Sequence, residues 1–443
     1  MELTVEQVVA LAPDASAAAA GKKLAVARHW QNLGRSSAAV WGECQGSALY
    51  QVRVDLGAFA YGCTCPSRKL PCKHVLGLLL LAAGTPEAVP AGEPPPWIVE
   101  WLAKRAARAE KRQQQEAANR PAQPMDAAGR ARRAAERERR VSEGLDFLDA
   151  WLADLVRGGL AGLERRPPSF WEEAARRLVD AQAPALAARI NRLGELPGSS
   201  PDWPRRLLGQ LGRVALLTHA FRRLDQLDPA LQHDVRQLVG WTVQQEQLVS
   251  QGAEVVEDAW CVLGSLVEEE GRLRSQRTWL LGQESGRAAL HWQFAAGGQP
   301  FARQFPPATV LAGKLVFWPG AVPQRAAFVG DYVLRGPMQV LRGAAGIEPF
   351  LRRVAEDLAR QPWLDRFLAV LSGVVVHAGR EGTWHVRDAA GNVLPLGGGA
   401  PWKLLAASGG HPVALAGEWN GQALYPLGVF ANGRYQVLAE GRG

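Results

Sequence analysis

"FAYGCTCPSRKLPCKHVLGLLLLAAG", Phe59 to Gly84, places three of the chain's five cysteines and one of its eight histidines within twelve residues, with an apolar run directly behind them. Cys63-Thr64-Cys65 sets two thiols two residues apart. On an extended backbone such residues project to the same side, so one ion can hold both. Cys72-Lys73-His74 repeats the spacing, yet within a helix positions i and i+2 lie about 200° apart around the axis. Pro71 points to the resolution: Cys72 precedes a helix, and His74 sits in its first turn with the ring swung back. The run from His74 to Ala83 then buries Val75, Leu76, Leu79 and Leu80, and Gly84 provides the stop.

Three thiolates and one imidazole fill a tetrahedral shell, which suits one structural Zn²⁺ and leaves no open position for a reactive water. Two plainer readings of the same residues stand beside this one: a redox dithiol at Cys63 and Cys65, or cysteines that are simply buried. Cys44, alone on the preceding strand, reads as a small core residue. A hairpin with one short helix has a meagre core. A metal would then supply much of the folding free energy, on the order of 10 kcal/mol as in zinc-finger peptides, and loss of one ligand should unfold the module.

On the N-terminal side, "TVEQVVALA" predicts a short helix, and "SSAAVWGECQG" and "SALYQVRVDL" predict two strands turning at Gly46 and Ser47. The second alternates Tyr50, Val52 and Val54 against Gln51, Arg53 and Asp55. The order Cys63-x-Cys65-x6-Cys72-x-His74, preceded by "YQVRVDLGAFAYGC" and followed by an apolar helix, resembles the SWIM-type zinc finger over about residues 48 to 83. That family occurs in chromatin-remodelling ATPases, transposases and many bacterial proteins of undefined role. The resemblance implies that Cys63, Cys65, Cys72 and His74 are zinc ligands and that the finger binds DNA or other proteins. The C-terminal "WKLLAASGGHPVALAGEWNG" with "YPLGVF" also looks like the tail of bacterial SWIM-finger proteins, from which no activity follows.

The formal charge of +8 is concentrated: Lys104 to Arg140 carries twelve basic and five acidic residues. Such a run is either an arm that neutralises phosphates or a solvated spacer. Before it, "GTPEAVPAGEPPP" has five prolines and reads as a linker. Residues 1–84 are therefore expected to form an N-terminal module, 85–141 a Pro-rich then basic linker, 142–255 a helical region of four or five helices, and 256–443 a β-rich region with helical insertions. The last contains two sets of Trp-bearing and Gly-rich hairpins, which admit an internal duplication. The fold class is multidomain α+β.

The bunched, sparse cysteines argue against a disulfide framework and for a reducing cytoplasm. Glu2 and Glu6 stand where a signal peptide needs positive charge, and the run Val75–Ala83 is too short to span a membrane. No P-loop, G-x-S-x-G or H-E-x-x-H occurs, so an enzyme is not the expectation. "VEEEGR" (267–272) reads as a solvated helix end, and His411 near Glu418 is the poor best of the acid-base pairs. The leading reading is a non-enzymatic recognition protein whose finger binds a protein partner. The alternative is a DNA- or RNA-binding factor using Arg68, Lys69 and Lys73 with the basic segment, and Tyr50, Phe59 and Tyr61 as stacking platforms. The third is an enzyme in the C-terminal body, which a deep polar cleft there would favour.

Overall fold

In the computed structural model the alternation around Val52 becomes the third strand of a four-stranded antiparallel sheet. The structure describes residues 3–13, 15–57, 59–67, 71–118, 127–241, 243–271, 273–296, 299, 301–379, 382–399 and 401–438. Two helices, α1 (Val5–Ala10) and α2 (Ala15–Leu24), lead into β1 (Trp30–Arg35), β2 (Ala39–Gln45), β3 (Leu49–Asp55) and β4 (Ala60–Cys63), which neighbour one another in chain order. Thr4 and Gln7 cap α1 reciprocally. Helix α3 (Lys73–Gly84) follows the cysteine loop and buries every residue from His74 to Ala82.

The module's core is larger than a hairpin and a helix would give. Leu3, Val8, Trp30, Val40, Val54, Leu76 and Leu79 all belong to it, each contributing about 1.5–3 kcal/mol on full burial. Helix α2 was not anticipated because its alanine run lacks polar contrast, yet small residues are what let it approach α3. A Cβ at Gly21 would stand 2.7 Å from the Leu76 Cβ, and one at Gly77 would stand 2.8 Å from the Leu24 Cβ.

The segment after the prolines is helical. Helix α4 (Pro96–Ala118) starts on the sheet, with Ile98 buried against Ala39 and Trp41. Trp101 lies between the guanidiniums of Arg53 and Arg105, each 5.3 Å from its ring. Helix α5 (Ala127–Arg157) opens a bundle completed by α6 (Pro168–Asp180), α7 (Pro184–Leu193), α8 (Trp203–Arg222) and α9 (Pro229–Val239). It begins inside the basic segment, whose Ala, Arg and Glu are good helix formers. Val141, Leu145, Leu148, Trp171, Leu207 and Val214 fill the bundle core, and Trp363 enters it from the next region. A short α10 (Gln245–Leu248) leads out.

The β-rich region consists of two antiparallel sheets. The first contains β5 (Val255–Glu270), β6 (Leu273–Gly282), β7 (Ala288–Ala296), β8 (Thr309–Phe317) and β9 (Ala326–Pro337), in the order β7-β6-β5-β8-β9. After α11 (Ile347–Arg360), the second contains β10 (Phe367–Ala378), β11 (Trp384–Arg387), β12 (Val393–Pro395), then α12 (Trp402–Ser408), β13 (Val413–Trp419), β14 (Leu424–Ala431) and β15 (Arg434–Val437), in the order β12-β11-β10-β13-β14-β15. Apart from the added β15, both sheets place the first strand centrally, the next two to one side and the following two to the other. Leu311-Ala312-Gly313 on β8 corresponds to Leu415-Ala416-Gly417 on β13, and Thr278-Trp279 on β6 to Thr383-Trp384 at β11.

The sheets share a core of Leu263, Trp279, Leu368, Val370, Leu427 and Tyr435. Across it Arg277 donates to both carboxylate oxygens of Glu418 at 3.0 Å, and Trp279 Nε1 donates to the same group at 2.8 Å. Two expectations are corrected here. The carboxylate run at 267–270 ends strand β5 rather than a helix, with Glu268 and Glu269 opposite Ser275 and Arg274 of β6. Glu418 is sealed at 3 % exposure by its arginine, whereas His411 is exposed in the turn before β13, so the two do not form an acid-base pair.

The zinc module is also not an appendage on a tether. Gln7 Nε2 donates to the Ala308 carbonyl at 2.8 Å in a buried hydrogen bond, and Leu334 of β9 packs onto the module's core.

Candidate metal centre

Strand β4 pairs with β3 up to Val52 opposite Cys63, which fixes the first ligand at a strand end. Thr64 holds the next step: its N–H donates to the Gln51 carbonyl at 3.1 Å, and its hydroxyl accepts from the Gln51 N–H at 3.0 Å. The chain then turns, and the Cys65 N–H donates to the Cys63 sulfur at 3.5 Å. Cys72 is the residue before the first turn of α3, with an extended backbone (φ −75°, ψ 166°), and His74 lies inside that turn. This is the arrangement the Pro-Cys-Lys-His spacing predicts.

The four donor atoms of Cys63, Cys65, Cys72 and His74 lie within 4.8 Å of one another. His74 Nδ1 is 3.8 Å from the Cys63 sulfur. With metal–sulfur bonds of about 2.3 Å and metal–nitrogen bonds of about 2.0 Å, the edges of a tetrahedral zinc shell are about 3.5–3.8 Å, so the donors fit a zinc ion with little contraction. The electrostatics lead to the same ion. Cys72 is brought down to about 4, first by its hydrogen bond with the Cys63 thiol and then by those with His74 and the Val75 N–H, against burial. Cys63 is pushed well up by that same bond and by burial, and Cys65 is pushed up chiefly by burial. One thiolate forms easily, whereas three at this spacing need a dication among them. The site holds one structural zinc, and its closed shell has no vacant position for substrate.

Around the ligands, the Tyr50 ring packs 4.9 Å from the His74 ring, and the Tyr50 hydroxyl shares a 2.6 Å hydrogen bond with Ser47. Phe59 is core at 2 % exposure and meets Tyr61 edge-on, so neither forms an open stacking platform. Cys44 is fully buried on β2 and, as expected, is not among the ligands. Lys73 lies exposed beside the site, while Arg68 and Lys69 fall outside the described residues. Tyr50, Cys65, Pro66, Ser67, Lys73 and His74 line a groove of about 440 Å³ together with Gly46 and Ser47, and Ser16, Ala17 and Ala20 of α2 supply another wall. Sequence reasoning missed that wall: small residues at helical spacing signal close packing, not a ligand surface.

Among the described residues no helix is long and apolar enough to cross a membrane. Residues 50–83 match the SWIM zinc finger, and residues 136–239 match the SWIM-associated four-helix bundle domain. No curated protein and no solved structure matches the chain. With its Cys3His ligand set at the end of a strand and the start of a helix, and the associated bundle behind it, this chain carries a SWIM-type zinc finger and the bundle domain associated with it.

Proposed function

We propose that the protein is a recognition protein whose zinc finger binds a protein partner through the groove between α2 and the ligand loop. The observation that carries this reading is the groove itself, whose lining combines apolar Ala17, Ala20 and Pro66 with several hydroxyls and one lysine. Such a mixture suits an extended peptide better than a phosphate backbone, which calls for a row of cations. The basic segment supports the same choice, because at least five of its twelve cations are engaged among the described residues. Lys104 pairs with Glu100, Arg105 with Asp55, and Arg139 and Arg140 with Glu136, while Arg137 lies over Trp241.

The test is a peptide-display selection on the zinc-loaded protein, run beside a salt series with duplex and single-stranded DNA. Peptides that lose binding in Ala17→Arg, which puts a long side chain on the α2 wall of the groove, support the reading. DNA binding that falls steeply with salt and survives Ala17→Arg would replace it with the nucleic-acid reading.

An enzymatic C-terminal body is favoured by one observation, a cleft of about 820 Å³ between the β6–β7 turn and α11, edged by Arg287, Arg342, Arg353 and Asp357. Clefts of this size are where small-molecule sites are usually found.

A further inference from the structure

Where the helical bundle meets the second sheet, arginines outnumber carboxylates. Arg189 of α7 points into this junction with its Nη1 sealed from solvent and without a hydrogen-bond partner. Among the described residues Arg189 makes no hydrogen bond and no ion pair, and its other guanidinium nitrogens are not sealed. Arg192, Arg213 and Arg366 stand close enough for their charges to act on it, and so does Asp365.

The carboxylates nearby are already engaged. Asp365 accepts from Arg366 at 2.9 Å. Glu418 takes both oxygens' worth of bonds from Arg277, plus Arg366 at 3.5 Å. Glu268 pairs with Arg277 at 2.7 Å. Five guanidiniums thus face three carboxylates, an excess of two positive charges, with none of the three acids hydrogen-bonded to Arg189 or Arg192.

The junction is rigid. Trp363 Nε1 donates to the Arg213 carbonyl at 2.9 Å while its ring sits in the bundle core, and the Arg213 guanidinium reaches back to the Leu364 carbonyl at 3.5 Å. An unpaired guanidinium held at such a place costs free energy that a loop or a freely solvated arginine would avoid. A tetrahedral dianion matches both the excess charge and the forked donors, which bind phosphate oxygens in pairs.

We propose that the cluster of Arg189, Arg192 and Arg213, backed by Arg366, is a binding site for a phosphoryl dianion, either free phosphate or the terminal group of a phosphomonoester. The zinc centre takes no part in it. The site would couple bundle and sheets, since α7, α8 and the start of β10 each contribute a ligand group.

The test uses the full-length, zinc-loaded protein and calorimetric titration at about 0.15 M NaCl, where non-specific ion effects are largely screened. Inorganic phosphate and phenyl phosphate are the two probes, with added NaCl of equal ionic strength as control. We expect saturable binding of at least one probe and a raised thermal midpoint. Tighter phosphate binding identifies the free ion as the ligand, and tighter phenyl phosphate binding identifies an ester. Arg189→Met and the exposed Arg192→Gln should each weaken binding about tenfold or more, as expected for loss of one charged hydrogen bond. The unliganded midpoint of Arg189→Met should be no lower than that of the parent. Heat and midpoint changes no larger than with NaCl overturn the proposal. So do variants that titrate like the parent, and an Arg189→Met protein that loses stability while keeping the phosphate response.

Discussion

In the zinc module three thiols and an imidazole meet within 4.8 Å and require a cation that the chain does not supply. In the β-rich region, Arg277 and Glu418 are each sealed to 3 % exposure and neutralise one another across two sheets. The first cluster is built by neighbours, from a strand end and a helix start nine residues apart. The second joins residues separated by 141 positions. A locally built centre survives changes elsewhere but depends on its ion. The distant pair needs no ion but depends on the register of both sheets.

The harshest way to break this comparison is to remove the ion. Cys72→Ser, or chelation, should abolish zinc content measured by atomic absorption and lower the first thermal transition by more than about 10 °C, because a structural zinc is worth up to about 10 kcal/mol. Hydrogen exchange should show residues 59–84 losing protection while β5 to β15 keep theirs. Because the module has its own core of Trp30, Val40 and Leu76, β2 and β3 should stay partly protected, in contrast to the complete unfolding that the motif alone predicts.

Next in size is Glu418→Ala, which takes from Arg277 and the Trp279 indole their buried acceptor and leaves Arg277 only the half-exposed Glu268. Loss of one member of a buried pair costs about 3–5 kcal/mol. The double variant Arg277→Met, Glu418→Leu should recover most of it in chemical denaturation, and zinc content should be unchanged in both. A double variant as unstable as the single would mean that the hydrogen bond from Trp279, not the stranded charge, dominates.

The smallest effect is a pH dependence confined to the double sheet. His291 on β7 is brought down to about 4 by burial, only partly offset by the Ala326 carbonyl, and Phe305 meets it edge-on. Its folded pKa lies below the unfolded value of about 6.5, so its contribution is complete above that pH and is lost as pH falls towards 4. The unfolded chain then binds a proton that the folded one refuses, at a total cost of about 3 kcal/mol. Denaturation midpoints of His291→Gln should be flatter than those of the parent between pH 6.5 and 4. An identical slope would exclude this histidine as the source.

How legible each region was follows from the same contrast. The zinc ligands, the β2–β3 hairpin and the position of Cys72 before α3 could be read directly, because each is decided by spacing within a few residues. Strand β1 could not, since Trp30–Arg35 is mostly polar and carries a bulge between Gln31 and Gly34. Phe367–Leu371 is a short apolar run without a distinguishing period, and only its place between β11 and β13 makes it a strand. Nothing local marked Glu418 as the partner of Arg277, and the groove wall on α2 was hidden within an alanine run. Charge density in the basic segment was visible, but its pairing with Asp55, Glu100 and Glu136 was not.

The contact between Gln7 and Ala308 has a consequence for how the finger meets anything else. A reader on a loose string must search orientations each time it engages, and it reports nothing of what it has found. A finger bolted to the start of β8 by its own first helix has already given up that freedom on folding. A partner that settled against the zinc site would therefore load the sheets directly, as it would load a fixed jaw rather than a hook on a line.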